Sequence, residues 1–244
     1  MLNRLLLLIA ALALSSAALA ADDAELRRTL EPKLGVQIDG IEPGPVPGLY
    51  EVRYRSQQGV QIIYVDASGN FVIQGKIYDA RADFRDLTEE RLRKLNAIKF
   101  ESLPLDLAVK IQRGDGKRVL AMFSDPYCPA CRQFERSLAQ VDNVTIYVFM
   151  YPVIRPENTD HSRMVWCSAD RAKAWLELAA APKPKVPNAA KSCGDPVDKV
   201  LKLGRSLAVN STPTLILANG ERVSGGLAAD DLKDLLDQTS VAKR

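Results

Sequence analysis

The chain is short of the residues that metal and acid–base centres draw on, with a single histidine, His161, and four cysteines. Cys128 and Cys131 have the C-x-x-C spacing, but no second C-x-x-C accompanies them. A zinc centre needs four ligands, so none is expected, and no metal is assigned. One-signed charge is missing too. The 33 basic and 30 acidic side chains leave a net +3 without a block of either sign, which sets nucleic acid aside as a partner. Beyond residue 20 no apolar run approaches the length of a bilayer span.

The first twenty residues differ in kind. Asn3-Arg4 give a short positive start, Leu5 to Leu14 an apolar core, and Ala18-Leu19-Ala20 a small-x-small cleavage site. That is the pattern of a secretory signal peptide over residues 1–20, and a membrane anchor would need a longer run. The mature chain is expected to be exported and soluble, in an oxidising compartment where disulfides persist. Composition does not separate eukaryotic secretion from export to a bacterial periplasm.

The most informative stretch runs Phe123-Ser124-Asp125-Pro126-Tyr127-Cys128-Pro129-Ala130-Cys131-Arg132-Gln133-Phe134. A β-leaning apolar run, Val119 to Phe123, leads into it, and Cys131, Phe134 and Leu138 continue it at helical spacing. C-x-x-C at a strand-to-helix junction is the redox form of this spacing. The first sulfur sits where unpaired N–H groups and the helix dipole favour a thiolate, so Cys128 is expected as the nucleophile. Cys131, one turn further in, is expected as the resolving thiol. A purely structural bridge over two intervening residues would close too small a loop to stabilise much. Zinc and structural readings are therefore weaker than thiol–disulfide exchange, which needs no cofactor because the electrons reside in the cysteine pair.

Ahead of this stretch, Leu26, Leu30 and Leu34 make one helical face, with Pro32 placing the last turn in question. Val36 to Ile41, Tyr50 to Arg55, Val60 to Asp66 and Phe71 to Tyr78 read as four short strands. Together they predict a small antiparallel sheet over residues 21–80, marginal alone and able to gain burial by pairing with another copy. Residues 81–103 read as a linker helix, with Thr88 as N-cap and Glu89-Glu90 in the first turn. Residues 104–244 form a second domain. Its order is a strand at 118–123, the C-x-x-C helix, a strand at 144–152, a helix from Ser162 to Ala180, a helix from Pro196 to Ala208, a hairpin turning at Asn219-Gly220, and a final helix through Leu232, Leu235 and Leu236. His161, beside Asp160 and Arg163, reads as a surface residue, and Trp166 and Trp175 as packing residues.

That order resembles the thioredoxin fold with a helical insertion, and Ser211-Thr212-Pro213-Thr214 falls where thioredoxin-like proteins carry a cis-proline loop facing the active cysteines. With the N-terminal sheet and linker included, the chain resembles the family of periplasmic disulfide isomerases, DsbC with its relative DsbG. The resembling motifs are the C-x-x-C stretch, Asn70-Phe71-Val72-Ile73-Gln74-Gly75-Lys76-Ile77-Tyr78-Asp79, Val165-Trp166-Cys167 and Ser211-Thr212-Pro213. Pro129-Ala130 departs from the Gly-Tyr often found between the DsbC cysteines, and Asp125-Pro126 is DsbG-like. Cys167 and Cys193, however, match the second cysteine pair of DsbC, which DsbG lacks.

The resemblance implies an α+β protein with an N-terminal antiparallel-sheet dimerisation domain, a linker helix and a C-terminal thioredoxin-fold domain. It implies a structural disulfide between Cys167 and Cys193, worth about 3 kcal/mol by loop entropy. It also implies a cis Pro213 that leaves the Thr212 backbone free to pair with substrate. By the same resemblance the protein is a periplasmic homodimer that shuffles wrong disulfides in exported proteins, holds misfolded chains, and is kept reduced by a membrane thiol reductant of the DsbD type. The competing functions are a monomeric oxidase, a DsbG-like reductase of sulfenylated cysteines, and a non-enzymatic holdase.

Overall fold

The computed structural model describes residues 23–57, 59–190 and 193–240, so the signal-peptide segment 1–20 lies outside the described residues. The chain divides into two units, Met1–Leu95 and Asn96–Arg244.

The first unit opens with α1 (residues 23–34), which runs through Pro32. It stops at Gly35, where a φ of +66° suits glycine and the Gly35 N–H donates to the Glu31 carbonyl at 2.9 Å. Strands β1 (Ile38–Pro43), β2 (Leu49–Ser56), β3 (Gly59–Asp66) and β4 (Val72–Ile73) follow as an antiparallel sheet in sequence order. Leu26 and Leu30 of α1 pack on Ile38, Val52, Ile63 and Val65 of this sheet. The continuous strand expected from Phe71 to Tyr78 is not formed. Val72–Ile73 pair with β3, and after Ile73 the chain leaves the sheet, so that β5 (Tyr78–Asp79) pairs instead with β6 (Arg85–Asp86). Phe71, at this edge, is 74% exposed. Helix α2 (Leu87–Leu95) belongs to the same unit. Its buried Thr88 hydroxyl meets Tyr64 Oη at 2.7 Å, and Arg91 reaches Glu51 and Glu42 at 3.1 and 2.8 Å.

In the second unit β7 (Val109–Arg113), β8 (Arg118–Ser124), β9 (Val144–Met150), β10 (Thr214–Leu217) and β11 (Arg222–Ser224) form one sheet in the order β11-β10-β8-β9-β7. Only β8 and β9 are parallel, joined across α3 (Pro129–Leu138), the right crossover for a near-continuous apolar strand pair. Both faces of the sheet are covered. Leu120, Met122, Ile146 and Val148 point to the side of Phe134, Leu138, Trp175 and Leu236. Ala121, Phe123 and Phe149 point to the side of Phe100 and Val200, with the Phe123 and Phe149 rings stacked at 4.9 Å.

The insertion between β9 and β10 is not the single helix expected from Ser162 to Ala180. It consists of α4 (Thr159–Trp166), α5 (Arg171–Trp175) and a π-helical turn at Leu176–Ala180. The break comes at Asp170, whose side chain caps α5 by accepting the Lys173 N–H at 2.9 Å. Helices α6 (Val197–Ser206) and α7 (Ala229–Ser240) complete the unit. Among the described residues no helix is long and apolar enough to cross a membrane.

Candidate active site

Strand β8 delivers the chain into the site. It ends at Ser124, and Asp125 to Tyr127 turn it so that Cys128 becomes the N-cap of α3, with φ −73° and ψ 122°. Pro129 takes the first helical position, where its missing N–H costs nothing and its fixed φ suits the helix. The geometry leaves Cys128 Sγ at the positive end of α3, only 6% exposed. Cys131 lies one turn further on the inward face of α3, wholly buried, and both cysteines are free thiols.

Burial governs Cys131. Desolvation pushes its thiol up to about 12, against a smaller lowering by the Ser124 side chain, so it is protonated throughout the neutral range.

The opposite wall is the loop entering β10. The Thr212–Pro213 peptide bond is cis, and Cys128 Sγ donates to the Thr212 carbonyl at 3.3 Å. The Pro213 carbonyl accepts the Gly225 N–H at 2.8 Å, tying this loop to the chain leaving β11. The structure therefore brings Cys128, Cys131, Thr212 and Pro213 together.

Asp125 holds the site from beneath. Its carboxylate is wholly buried and accepts the Tyr127 N–H at 2.8 Å and the Ile154 N–H at 2.7 Å. One side chain thus clamps the segment leading to Cys128 onto the loop after β9. Half-buried His161, on α4, is not a solvated surface residue: its Nδ1 shares a hydrogen bond with the Tyr127 hydroxyl. The two ring centroids are 5.7 Å apart.

Cys167 and Cys193 are bonded to each other, with S–S 1.97 Å and Cα–Cα 5.8 Å. Nearby, Arg163 of α4 pairs with Asp195 and Asp198, both at 2.9 Å, so the insertion is fastened to the start of α6. The insertion also grips α3. Trp175 Nε1 donates to Glu135 Oε1 at 2.7 Å, and Arg132 donates to the Leu178 carbonyl at 2.9 Å. Glu135 is buried one turn after Cys131; desolvation raises its carboxyl pKa, while Glu135 Oε2 has no hydrogen-bond partner. Among the described residues no group of three or more His, Cys, Asp or Glu side chains is placed to hold a metal ion.

Asp125, His161 and Glu135 were not singled out for the site from the sequence. The one available signal was at Glu135, a carboxyl falling on the same helical face as Cys131, Phe134 and Leu138.

Both units have relatives among known proteins. Residues 17–89 match the family model described as the disulfide bond isomerase protein N-terminal domain, and residues 105–240 match the thioredoxin-like domain. A protein of Bordetella pertussis named probable thiol:disulfide interchange protein DsbC is 41% identical over 212 residues, covering 86% of this chain and 72% of its own. The thiol:disulfide interchange protein DsbC of Salmonella typhimurium is 29% identical over 224 residues, covering 89% of this chain and 88% of its own. Among solved structures, a disulfide interchange protein from Neisseria gonorrhoeae is 35% identical with a TM-score of 0.53, spanning 57% of this chain and 99% of that one.

Proposed function

Because the chain belongs to the DsbC family of thiol:disulfide interchange proteins, we propose that it is a periplasmic disulfide isomerase acting through Cys128 and Cys131. The Cys128 thiolate attacks one sulfur of a wrong substrate disulfide. A Cys128–substrate disulfide forms, the substrate bond breaks, and the displaced substrate sulfur leaves as a thiolate that takes up a proton. A different substrate thiolate then attacks the mixed disulfide, forming the new substrate bond and returning Cys128 reduced. No net oxidation occurs in that cycle.

The escape route is attack by Cys131 on the Cys128 sulfur. It releases the substrate with both its sulfurs reduced and leaves Cys128–Cys131 oxidised, so an external thiol reductant must restore the pair. The observation that carries the isomerase reading is the contrast between the two thiols. Cys128 caps α3 at the mouth, whereas Cys131 is wholly buried with its thiol at about 12. The resolving thiolate is scarce at neutral pH, which gives the substrate time to rearrange before it is expelled.

Thr212 supplies main-chain pairing for an extended substrate segment, with Pro213 leaving that edge open. The Cys167–Cys193 bond serves stability and supports the DsbC over the DsbG reading, since the second pair is the DsbC feature. Residues 1–20 act as the signal peptide, 21–80 as the dimerisation domain and 81–103 as the connection to the catalytic domain at 104–244. The exposed apolar residues Val72 and Ile73 on the short edge strand, with Phe71 just before them, support the homodimer, since an uncovered apolar edge invites pairing. The reductant is a membrane thiol protein of the DsbD type, and the substrates are misfolded disulfide-containing exported proteins.

Acid-quench trapping tests the reading. The Cys131→Ala protein mixed with a disulfide-bonded substrate should accumulate a mixed disulfide mapping to Cys128; no adduct at Cys128 would sink it.

A further inference from the structure

We propose that His161 is a positioning residue for this exchange: through the Tyr127 hydroxyl it holds the Tyr127 ring as an apolar platform beside Cys128, for the substrate side chain adjoining the attacked half-cystine. The inference rests on the isomerase reading and adds a determinant of which disulfides are attacked.

Tyr127 immediately precedes the nucleophile and is fixed at both ends. Its N–H donates to Asp125 Oδ1 at 2.8 Å, and its hydroxyl bonds His161 Nδ1. Burial raises the phenol pKa, so the hydroxyl stays protonated in the neutral range. It can then donate to a neutral imidazole or accept from an imidazolium, and the bond persists in either state. His161 in turn sits on a fastened element. Its helix is tied to the start of α6 by Arg163 on Asp195 and Asp198, and by the Cys167–Cys193 bond that follows.

A tyrosine held this way offers a large apolar surface without losing side-chain freedom when substrate arrives. The surroundings indicate what it takes. Tyr127 is only partly buried, packed on one side against the core. Ile154, anchored by the other oxygen of the same Asp125 carboxylate, is 50% exposed. Two apolar residues are therefore held, through their main-chain N–H groups, by the one carboxylate under the segment that carries Cys128. The substrate class is an extended peptide with an aliphatic or aromatic residue beside its half-cystine.

The test uses the mature full-length protein and measures the rate of mixed-disulfide formation with two peptide disulfides differing only in Leu or Gly next to the half-cystine. His161→Ala and Tyr127→Phe should each lower the Leu-to-Gly rate ratio by about fivefold, the scale of one net hydrogen bond. The double variant should fall no further than either single one, because both remove the same bond. His161→Asn, whose amide reaches the position of Nδ1, should restore the ratio. Equal losses for the two peptides, fully additive single effects, or no loss in Tyr127→Phe, which keeps the ring and its volume, would overturn the inference. A wild-type protein inert toward both peptides would overturn the isomerase reading itself and this inference with it.

Discussion

Cys128 Sγ and the carbonyl oxygen of Thr212 lie 3.3 Å apart, joined by a hydrogen bond that only the thiol can donate. When Cys128 gives up its proton that bond is lost. On the proposed isomerase reading, the Thr212 carbonyl is then free to accept a main-chain N–H from substrate beside the attacking sulfur. On that reading, activation of the thiol and exposure of the pairing edge are one event. The relationship also explains why a helix N-terminus and a loop some eighty residues later must be held together, a task that falls to the β8–β10 pairing, which runs from Phe123↔Thr214 to Leu120↔Leu217.

Asp125→Asn should weaken both the fold and the site. Asparagine has one acceptor oxygen in place of two, so either the Tyr127 or the Ile154 N–H is left unpaired in a buried setting. The expected cost is about 1–3 kcal/mol in a denaturant unfolding curve, together with slower attack by Cys128. An unchanged midpoint would show that the carboxylate does not hold these loops.

Replacing Cys167 and Cys193 together by serine should lower stability by about 2–4 kcal/mol while exchange persists at low temperature. The bond fastens the insertion and does not include Cys128 or Cys131, which are free thiols. A fully stable but inactive double variant would instead place the second pair in the redox cycle.

Glu135 makes stability fall with rising pH. Its folded-state pKa is raised by burial, so the folded protein holds the proton more tightly than the unfolded chain does. The resulting stabilisation is complete below the ordinary glutamate pKa of about 4.3 and is lost as pH rises through the folded value. Glu135→Gln should match the wild type near pH 4 and become progressively more stable than it toward neutral pH. Parallel stability curves would contradict this.

The mature chain should run as a dimer at micromolar concentration in analytical ultracentrifugation, and Phe71→Asp should shift it to monomer. Phe71 is largely exposed at the sheet edge, so the change costs the monomer little of its own packing. A wild-type monomer at that concentration would reject the pairing.

Much of the architecture is legible from periodicity because the deciding contacts are local. The C-x-x-C helix declares itself through Cys131, Phe134 and Leu138, and the parallel strand through the unbroken apolar run from Val144. Strand β7 was not anticipated. Val109-Lys110-Ile111-Gln112-Arg113 does alternate, but it is short, and its partner β9 lies beyond β8 and α3. The break in the insertion is hidden because Ser168, Ala169 and Asp170 sit between two helix-compatible runs. Tertiary bonds explain the remaining misses. Asp125 enters the sequence reading only as half of the Asp125-Pro126 pair, and its holding role depends on Ile154, 29 residues on, which supplies its second N–H. His161 reads as a surface residue until Tyr127, 34 residues earlier, meets it. Periodicity reports which face is buried, and it is silent about which polar group waits there.

Refolding of a scrambled multi-disulfide substrate, with the reduced protein and no added reductant, tests the central claim most directly. Wild-type protein and Cys131→Ala should both restore native disulfides, while Cys128→Ala should restore none. Recovery by Cys128→Ala equal to that of the wild type would contradict the assignment of Cys128 as the nucleophile.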